Sequence, residues 1–405
     1  MDSSPDAKCL AVRKDRNNAV DALRGLVMII MALDHTRDYF HSAVMSFPPE
    51  DLTRTTVAIF FTRWITHICA PVFFFTTGLG AFFWLGRGHT QSLTSFLVKR
   101  GLWLVLLELT VLRFAMNFSI LNAPIFLAIL WALGWSMVAL GFLSRLPIRP
   151  LAIGSILVIL LHNFADSVTA QSLGTAGWLW NVFHQPGVIP LDGMTLIVAY
   201  PLIPWIAVMA LGFCFGPVMS LDSRQRRAWM VRLGLGMILA FFVLRAFNIY
   251  GDPLRWSREI PGKTLLSFLR CTKYPPSLDF LLMTLGPALL ILAGFDRLNL
   301  SSAGLSGMNP LLVFGRVPLF YFVLHFLLIH LLTIPFAYLR YGEIAFLFNT
   351  LPILGGSRDL YPSDYGYGLC VVYAVWILVV LLMYPLCLWF SRLKERRRDW
   401  WLSYI

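Results

Sequence analysis

The chain has 405 residues, of which 58% are hydrophobic and 13% charged, and its mean hydropathy is +0.71. About 25% of the residues of a typical globular protein are charged, so this composition excludes a water-soluble surface, a disordered chain and a disulfide-rich secreted scaffold. The net charge of +12 points to basic cytoplasmic loops rather than to nucleic-acid binding, because membrane proteins concentrate lysine and arginine there. The sequence therefore predicts a polytopic membrane protein with no nucleic-acid partner.

Ten apolar stretches predict an all-α fold in which about ten helices cross the membrane in one bundle. A spanning helix needs about 20 mostly apolar residues, and each stretch approaches that length. The segment 335–350 is a candidate eleventh element, which we expect at the membrane interface. The stretches are 19–40, 60–85, 100–117, 123–143, 150–166, 195–217, 229–250, 278–296, 310–334 and 366–390.

Three sections make up the predicted organisation: a basic leader at 1–18, a transmembrane domain at 19–390 and a basic tail at 391–405. The first apolar stretch carries Arg24 and Asp34, and no small-residue cleavage site follows it. We therefore interpret it as a retained first helix rather than as a signal peptide.

The basic residues predict the orientation of the helices. With ten helices, 20 of the 33 lysines and arginines fall on one face, which places both termini in the cytoplasm. The segment 251–276 lies on the opposite face and still carries five basic residues against two acidic ones. It is either an interfacial amphipathic segment or a lid or anionic-ligand loop over a central cavity.

The first helix holds most of the ionisable side chains that are expensive to place in a membrane. Arg24 and His35 are 11 residues apart, so they share a helix face at a separation of about 16 Å. Asp38 lies one turn beyond His35, and Asp34 is adjacent to it. Such a carboxylate can orient an imidazole and stabilise its protonated form, as a general base requires. The alternative is that His35 and Asp38 are solvated at the membrane interface.

Glu108 and Arg113 are the ionisable residues of the third stretch. Their spacing of five residues separates them by about 140° around the helix, which is too far for an ideal i,i+4 pair. Each should have its partner on another helix. They either form structural ion pairs, with groups such as Arg245 or Asp166, or line a polar cavity.

The remaining candidates are histidines in apolar surroundings. His67 and His325 are either core histidines or catalytic ones. The sequence has no H-E-x-x-H motif, its closest histidine pair is His325 and His330, and its six cysteines form no C-x-x-C pair. We therefore expect no metal site.

Five ordered sequence blocks resemble the bacterial relatives of heparan-α-glucosaminide N-acetyltransferase, within the transmembrane acyltransferase superfamily. The first block, D-A-L-R-G-L followed by a histidine, has the arginine and the histidine 11 residues apart. The resemblance covers most of the chain. The blocks are 21–35, 66–78, 99–109, 273–278 together with 283–287, and 307–325.

The resemblance implies an enzyme that transfers an acyl group, in particular acetyl, from cytosolic acyl-CoA to a saccharide hydroxyl or amine on the other face. It assigns the catalytic role to His35, as general base or acyl carrier, and places Arg24 towards the coenzyme. His41 is a competing candidate, because the histidine of the lysosomal enzyme lies in the loop after its first helix. The resemblance and the lack of a targeting leader also indicate a bacterial inner membrane.

These arguments define the expected site residues. The expected catalytic group is His35, Asp38, Asp34, His67 and His41. Coenzyme A is polyanionic, so the expected coenzyme-binding residues are Arg24, Arg100 and Arg316. The expected substrate cavity is lined by Glu108, Arg113, His325 and Tyr274. Lipid bilayer, acyl-CoA and acceptor saccharide are the expected partners, and the oligomeric state stays open, with a homodimer as one arrangement.

Two other classes of function fit the same composition. A secondary transporter or proton-coupled permease also uses buried histidine, glutamate and arginine, but the chain lacks the repeat symmetry typical of transporters. A non-catalytic membrane partner or assembly factor would need none of these groups for chemistry.

Overall fold

The computed structural model describes residues 17–88, 91–118, 124–191, 194–298, 300, 309–348, 352, 358–397, 399 and 402, so most of the predicted leader and part of the tail lie outside it. Most of the described chain is helical, as expected from the sequence. The helices are α1 (Asn18–Phe40), α2 (Val57–Trp64), α3 (Cys69–Leu85), α4 (Leu93–Leu107), α5 (Arg113–Asn117), α6 (Ile129–Leu143), α7 (Ile148–Leu161), α8 (Gly177–Phe183), α9 (Leu202–Cys214), α10 (Gly216–Met219), α11 (Ser223–Phe247), α12 (Thr264–Leu269), α13 (Leu278–Leu298), α14 (Pro310–Arg316), α15 (Pro318–Tyr341) and α16 (Leu369–Arg396).

Seven helical segments of the described chain are long and apolar enough to cross a membrane. Each of the ten predicted stretches contains helix, but three do not meet that criterion. The segment α1 carries five charged residues, the segment from α4 to α5 carries four, and α6 has only 15 residues. The predicted count of ten spans is therefore not confirmed. The seven are Val57–Leu85, Ile148–Ser167, Leu202–Met219, Ser223–Phe247, Leu278–Leu298, Pro318–Tyr341 and Leu369–Arg396.

The predicted span 310–334 and the predicted interfacial segment after it have different boundaries in the structure. The helical conformation is interrupted at Val317, between α14 and α15. Helix α15 then continues through Pro335 to Tyr341, so the candidate eleventh element does not begin as a separate helix at 335. A proline inside a membrane helix is tolerated where neighbouring groups satisfy the freed carbonyl.

A small three-stranded sheet corrects the purely α-helical prediction. Its strands are β1 (Ile125–Leu127), β2 (Gly187–Leu191) and β3 (Met194–Val198), in the order β1-β3-β2. Strand β1 is parallel to β3, and β2 is antiparallel to it. Two predicted helical stretches, 123–143 and 195–217, therefore begin as extended chain. The sheet satisfies the backbone hydrogen bonds of segments that enter the bundle without being helical.

Helix α1 lies in the middle of the bundle and packs against α3, α13, α14, α15 and α16. It begins at an N-cap, Asn17, whose side chain accepts the amide protons of Ala19 and Val20. Glycines allow its close approach to α14. A Cβ at Gly25 would collide with the backbone of Leu311, and one at Gly315 would collide with the backbone of Asp21. This position brings the charged residues of α1 into the protein interior.

The crossing of α3 and α9 follows the same rule. A Cβ at Gly78 would meet the Met209 carbonyl, and one at Gly212 would meet the Phe75 carbonyl. Small residues at crossings let membrane helices pack backbone to backbone, where lipid offers no hydrophobic driving force. Helix α3 is thereby fixed between α1 and α9.

Candidate functional site

An ion-pair network joins α1 to α2 and to the loop between them. Arg63 donates to Asp34, and its Nε lies 3.1 Å from Glu50 Oε1. Arg37 Nη2 lies 3.2 Å from Asp34 Oδ1, and His67 Nε2 lies 3.3 Å from Glu50 Oε1. Buried charges are tolerated when they are paired, and each of these carboxylates has two nitrogen-bearing partners. The network therefore fixes the loop against the last turns of α1.

Two groups in the loops of this region have shifted pKa values. Burial by itself would raise the pKa of Glu50, but the contacts with His67 and Arg63 outweigh it and hold that pKa below its usual range. Burial also opposes ionisation of the Tyr274 phenol, whereas Lys273 and Arg63 favour it, and the pKa of Tyr274 is lowered. The basic side chains thus dominate the local potential.

His35 lies between its carboxylate neighbour and the rings of α15. Its Nδ1 is 3.7 Å from Asp38 Oδ2, within ion-pair reach but longer than a hydrogen bond. Its ring centroid is 4.1 Å from that of Phe326 and 5.3 Å from that of His325. The side chain keeps 21% of its surface exposed. His35 is therefore held by packing while it remains reachable from a cavity.

Asp38 also contacts Arg37, whose Nη2 lies 2.5 Å from Asp38 Oδ1. Its two carboxylate oxygens thus face different partners, the guanidinium of Arg37 and the imidazole of His35. A carboxylate held in this way can orient an imidazole without freely rotating.

Beside His35 lies a cavity of about 280 Å³, which we call the central cavity. Its wall comes from α1, α2, the start of α3, the π-helical turn Glu108–Leu112, the small sheet, the loop before α13, and α15. Polar and ionisable side chains are concentrated on this wall. They are Asp34, His35, Arg37, Asp38, Tyr39, Arg63, Thr66, Cys69, Glu108, Tyr200, Lys273 and Tyr274.

Glu108 has backbone partners rather than an ionic one. Its Oε2 accepts the amide protons of Leu130 at 2.7 Å and Trp131 at 3.1 Å, at the start of α6. A carboxylate at a helix N-terminus satisfies amides that have no intrahelical partner. Glu108 therefore makes no described ion pair with Arg245, and it lies on the wall of the central cavity, the second of the two predicted alternatives.

Arg245 and Asp166 have other partners. Arg245 donates to several backbone carbonyls, among them that of Arg270 at 2.6 Å, and its Nη1 lies 3.7 Å from Asp279 Oδ2. Asp166 Oδ1 lies 2.9 Å from His184 Nε2. Both residues therefore hold segments of chain together at a distance from Glu108.

A second cavity, of about 580 Å³, lies at the N-terminal end of α1, and we call it the arginine cavity. Small-molecule sites typically have volumes of roughly 300–1,000 Å³. Among the described residues of its wall, one carboxylate, Asp21, faces five basic side chains. The basic side chains are Arg24, Arg87, Arg100, Arg316 and Lys394.

Two of these basic side chains are anchored by contacts at the cavity wall. Arg24 donates to the carbonyl oxygen of Thr76 on α3. Arg316 Nη1 donates to Glu395 Oε1 at 2.9 Å, which links the end of α14 to α16. The cavity is therefore a strongly positive region with part of its charge fixed in place.

A third cavity, of about 430 Å³, lies between the loop after α1 and the loop before α13, and we call it the loop cavity. It shares five wall residues with the central cavity, so the two are neighbours. The central and arginine cavities share three apolar residues. The loop cavity and the central cavity share Arg37, Asp38, Arg63, Lys273 and Tyr274. The central cavity and the arginine cavity share Phe73, Ile129 and Phe322.

The structure brings most of the predicted site residues into these cavities. All three predicted coenzyme-binding residues line the arginine cavity. Five others line the central cavity. The residues in the arginine cavity are Arg24, Arg100 and Arg316. Those in the central cavity are Asp34, His35, Asp38, Glu108 and Tyr274.

Four predicted residues lie elsewhere. His41 lines the loop cavity, and burial together with Arg37 lowers its pKa. The walls of the three cavities do not include His67, His325 or Arg113. The expectation that His325 and Arg113 line the substrate cavity is therefore not met: His325 is fully buried, and its Nδ1 contacts the carbonyl oxygen of its own helix, 3.0 Å away.

Sequence reasoning missed four residues of the site. Arg63, Glu50, Lys273 and Tyr200 line the central cavity, the loop cavity or both. Arg63 lies in the second predicted span, where an arginine is expensive, and this signal could have identified it. Glu50 is a charged loop residue that nothing in the sequence distinguishes from a solvated one, whereas Lys273 lies in the segment 251–276, for which an anionic-ligand loop is one of the two sequence-based alternatives.

Within the part of the chain that the structure describes, no group of three or more His, Cys, Asp or Glu side chains could hold a metal ion. The ionisable side chains on the cavity walls can transfer protons, attack as nucleophiles and stabilise charge.

A comparison with protein families identifies a family model that matches the chain. Residues 16–250, more than half of the chain, match the family model described as heparan-alpha-glucosaminide N-acetyltransferase, catalytic. No curated protein matches the chain. The matched segment includes α1 and most of the arginine cavity, whereas the loop before α13 follows it in the sequence.

Proposed function

Since the chain belongs to the family of heparan-α-glucosaminide N-acetyltransferase catalytic domains, we propose that this multi-pass membrane protein transfers an acetyl group from acetyl-CoA to a saccharide hydroxyl or amine. The family makes an acyltransferase the supported class of enzyme. It does not favour the alternative of a secondary transporter, and no described feature adds support for one.

The observation that carries this proposal is the order of the three cavities along α1. The arginine cavity lies at Arg24, the central cavity at His35 and the loop cavity at His41. A regular helix places Arg24 and His35 about 16 Å apart along its axis. Neighbouring cavities share wall residues, so a donor and an acceptor that enter from opposite ends would meet beside His35.

The arginine cavity fits the coenzyme end of the donor. Phosphate groups are favoured by arginine side chains, which can donate two parallel hydrogen bonds. Five basic side chains against one carboxylate provide that environment. The thioester end would pass Phe73, Ile129 and Phe322, the apolar residues that line both the arginine cavity and the central cavity.

His35 is the residue that we assign to the chemical step. As a general base it would remove the proton of the acceptor hydroxyl or amine while the acceptor attacks the thioester carbon. The carbon–sulfur bond then breaks, and the protonated imidazole returns its proton to the leaving thiolate, which yields free coenzyme A. Asp38, 3.7 Å from the imidazole, would stabilise its positive charge in between.

A covalent route uses the same residue. His35 would attack the thioester itself, carry the acetyl group and release it to the acceptor in a second step. The two routes differ in kinetics, because only the covalent one releases coenzyme A before the acceptor binds.

The orientation of the protein follows from the distribution of positive charge. Basic side chains concentrate at cytoplasmic ends of membrane helices, so we assign the arginine cavity to the cytoplasmic side and the loop cavity to the opposite side. Both termini would then be cytoplasmic, and in a bacterium the acceptor would be modified outside the inner membrane.

The test uses purified protein in nanodiscs with radiolabelled acetyl-CoA and glucosamine as the acceptor. We expect His35→Ala to reduce the transfer rate by about 10²–10⁴-fold, the usual contribution of general acid–base catalysis. His184→Ala is the matched control, because His184 is buried, contacts Asp166 and lies outside the three cavity walls. Full transfer by His35→Ala, with loss of transfer by His41→Ala, would move the catalytic role to His41.

A further inference from the structure

The loop before α13 carries two basic side chains that no carboxylate pairs with among the described residues. Arg270 and Lys273 both line the loop cavity. Arg270 Nε is buried and has no hydrogen-bond partner within the described chain. Lys273 Nζ lies 5.2 Å from the ring centroid of Tyr274 and makes no described ion pair. A buried donor without a partner is costly, so its presence beside a cavity points to a ligand.

Two charged side chains, the buried Arg245 and the half-buried Asp252, hold this loop in place. Arg245 donates to the carbonyl oxygen of Arg270 at 2.6 Å. Asp252 accepts from Thr272 through both its amide, at 2.7 Å, and its hydroxyl, at 2.9 Å. The same carboxylate accepts from the hydroxyl of Ser277 at 2.5 Å. The backbone on both sides of Lys273 is therefore anchored, and its position does not depend on a ligand.

The charge on the cavity wall is unevenly compensated. The described wall has four basic side chains, Arg37, Arg63, Arg270 and Lys273, and two carboxylates. Arg37 and Arg63 already contact carboxylates, including Asp34 behind the wall. The positive charge that has no ion-pair partner among the described residues is thus located at Arg270 and Lys273.

We propose that the loop cavity is a binding site for an anionic group, a carboxylate or phosphate, carried by the acceptor saccharide, with Arg270 and Lys273 as its partners. This inference rests on the proposed acyltransferase function. Lys273 borders both the loop cavity and the central cavity, so a sugar held by its anion at Lys273 extends towards His35. Neither basic residue lies in the segment that matches the family.

The kinetic test compares two acceptors that share an amine, glucosamine and glucosamine 6-phosphate. We expect the wild type to have a KM about tenfold lower for the phosphorylated sugar, which corresponds to about 1.4 kcal/mol. Lys273→Gln and Arg270→Gln should each reduce this preference, and the double variant should abolish it. Arg255→Gln is the matched control, because Arg255 is exposed in the same segment but does not line the cavity. Equal KM values for both sugars in the wild type would overturn the proposal.

A direct binding measurement separates this proposal from the proposed function. Calorimetry with glucosamine 6-phosphate on protein in phosphatidylcholine nanodiscs needs no acetyl transfer. Binding that the double variant loses supports the anion site even if no acetyl transfer is detected. Absence of binding, or unchanged binding in the double variant, contradicts it.

An anionic lipid headgroup carries the same phosphate oxygens as glucosamine 6-phosphate. A second binding experiment distinguishes these two sources of the anion. Nanodiscs that contain phosphatidylglycerol should leave the affinity for glucosamine 6-phosphate unchanged if the site serves a soluble saccharide. A loss of affinity that Lys273→Gln removes would identify the lipid as the occupant and overturn the assignment to the acceptor.

Discussion

Glu108 Oε2 accepts the backbone amide protons of Leu130 and Trp131, at 2.7 Å and 3.1 Å, and so caps the first turn of α6 from another helix. Ile129, the first residue of α6, lies on the wall of the central cavity. The cap therefore joins the π-helical turn that contains Glu108 to this part of the wall. This contact explains why a carboxylate occupies an otherwise apolar segment.

Removal of this cap should destabilise the protein. We expect Glu108→Ala to lower the free energy of unfolding by about 1–2 kcal/mol, because amides at the start of α6 lose their acceptor. Glu108→Gln, which retains an oxygen acceptor, should cost less. Thermal unfolding in detergent measures the effect, and Glu259→Ala, at an exposed position, is the control. Equal stability of Glu108→Ala and Glu259→Ala would contradict the capping role.

Gly25→Ala tests the packing of α1 against α14. The new methyl group would collide with the backbone of Leu311, which cannot move aside as a flexible side chain can. We expect a loss of at least about 1–3 kcal/mol, the usual cost of overpacking. Gly236→Ala on α11 has open space around it and should leave the thermal unfolding temperature nearly unchanged. An unchanged unfolding temperature for Gly25→Ala would show that the two helices are farther apart.

Asp38→Asn tests the orientation of His35. The amide cannot stabilise a protonated imidazole as the carboxylate does, so we expect kcat for acetyl transfer to fall by about 10–100-fold while KM for acetyl-CoA stays constant. Asp51→Asn is the control, because Asp51 lies in the loop after α1 but outside the cavity walls. A change confined to KM would assign Asp38 to binding instead.

Arg100→Gln tests the arginine cavity as the coenzyme site. Loss of one cation should raise KM for acetyl-CoA by about tenfold, with a smaller effect on kcat, and high salt should reduce the difference. Arg145→Gln removes an arginine that stacks on Phe142 and does not line the cavity. If both variants raise KM equally, the effect arises from the general surface potential and not from this cavity.

The lowered pKa of Glu50 predicts that the stability of the folded protein depends on pH. Its folded-state pKa lies below the ordinary value of 4.5, so its contribution is fully present above about pH 4.5 and is lost as the pH falls towards the folded-state value. The difference in unfolding temperature between wild type and Glu50→Gln should therefore be constant from pH 8 to about pH 5 and shrink below that. A difference that grows on acidification would contradict the assigned contacts with Arg63 and His67.

The sequence by itself determined the membrane character, the positions of the main helical stretches and the central importance of the first helix. These properties depend on composition and on local periodicity, which are visible in a linear sequence. It also identified Arg24, Arg100 and Arg316 as one group, and the structure places all three in one cavity. Each of them is a basic residue near the end of a predicted helix, and this property is visible in the linear sequence.

Only the tertiary structure decided which charged groups meet. The sequence left an ion pair and a place on a polar cavity open for Glu108, and in the structure it lies on the central cavity and caps α6, because a helix N-terminus can replace a cation. Arg63, Glu50 and Lys273 reach the site from different elements, and their proximity depends on how α1, α2 and the loop before α13 pack. Such distances between residues far apart in sequence are set by packing, so no local pattern in the chain records them.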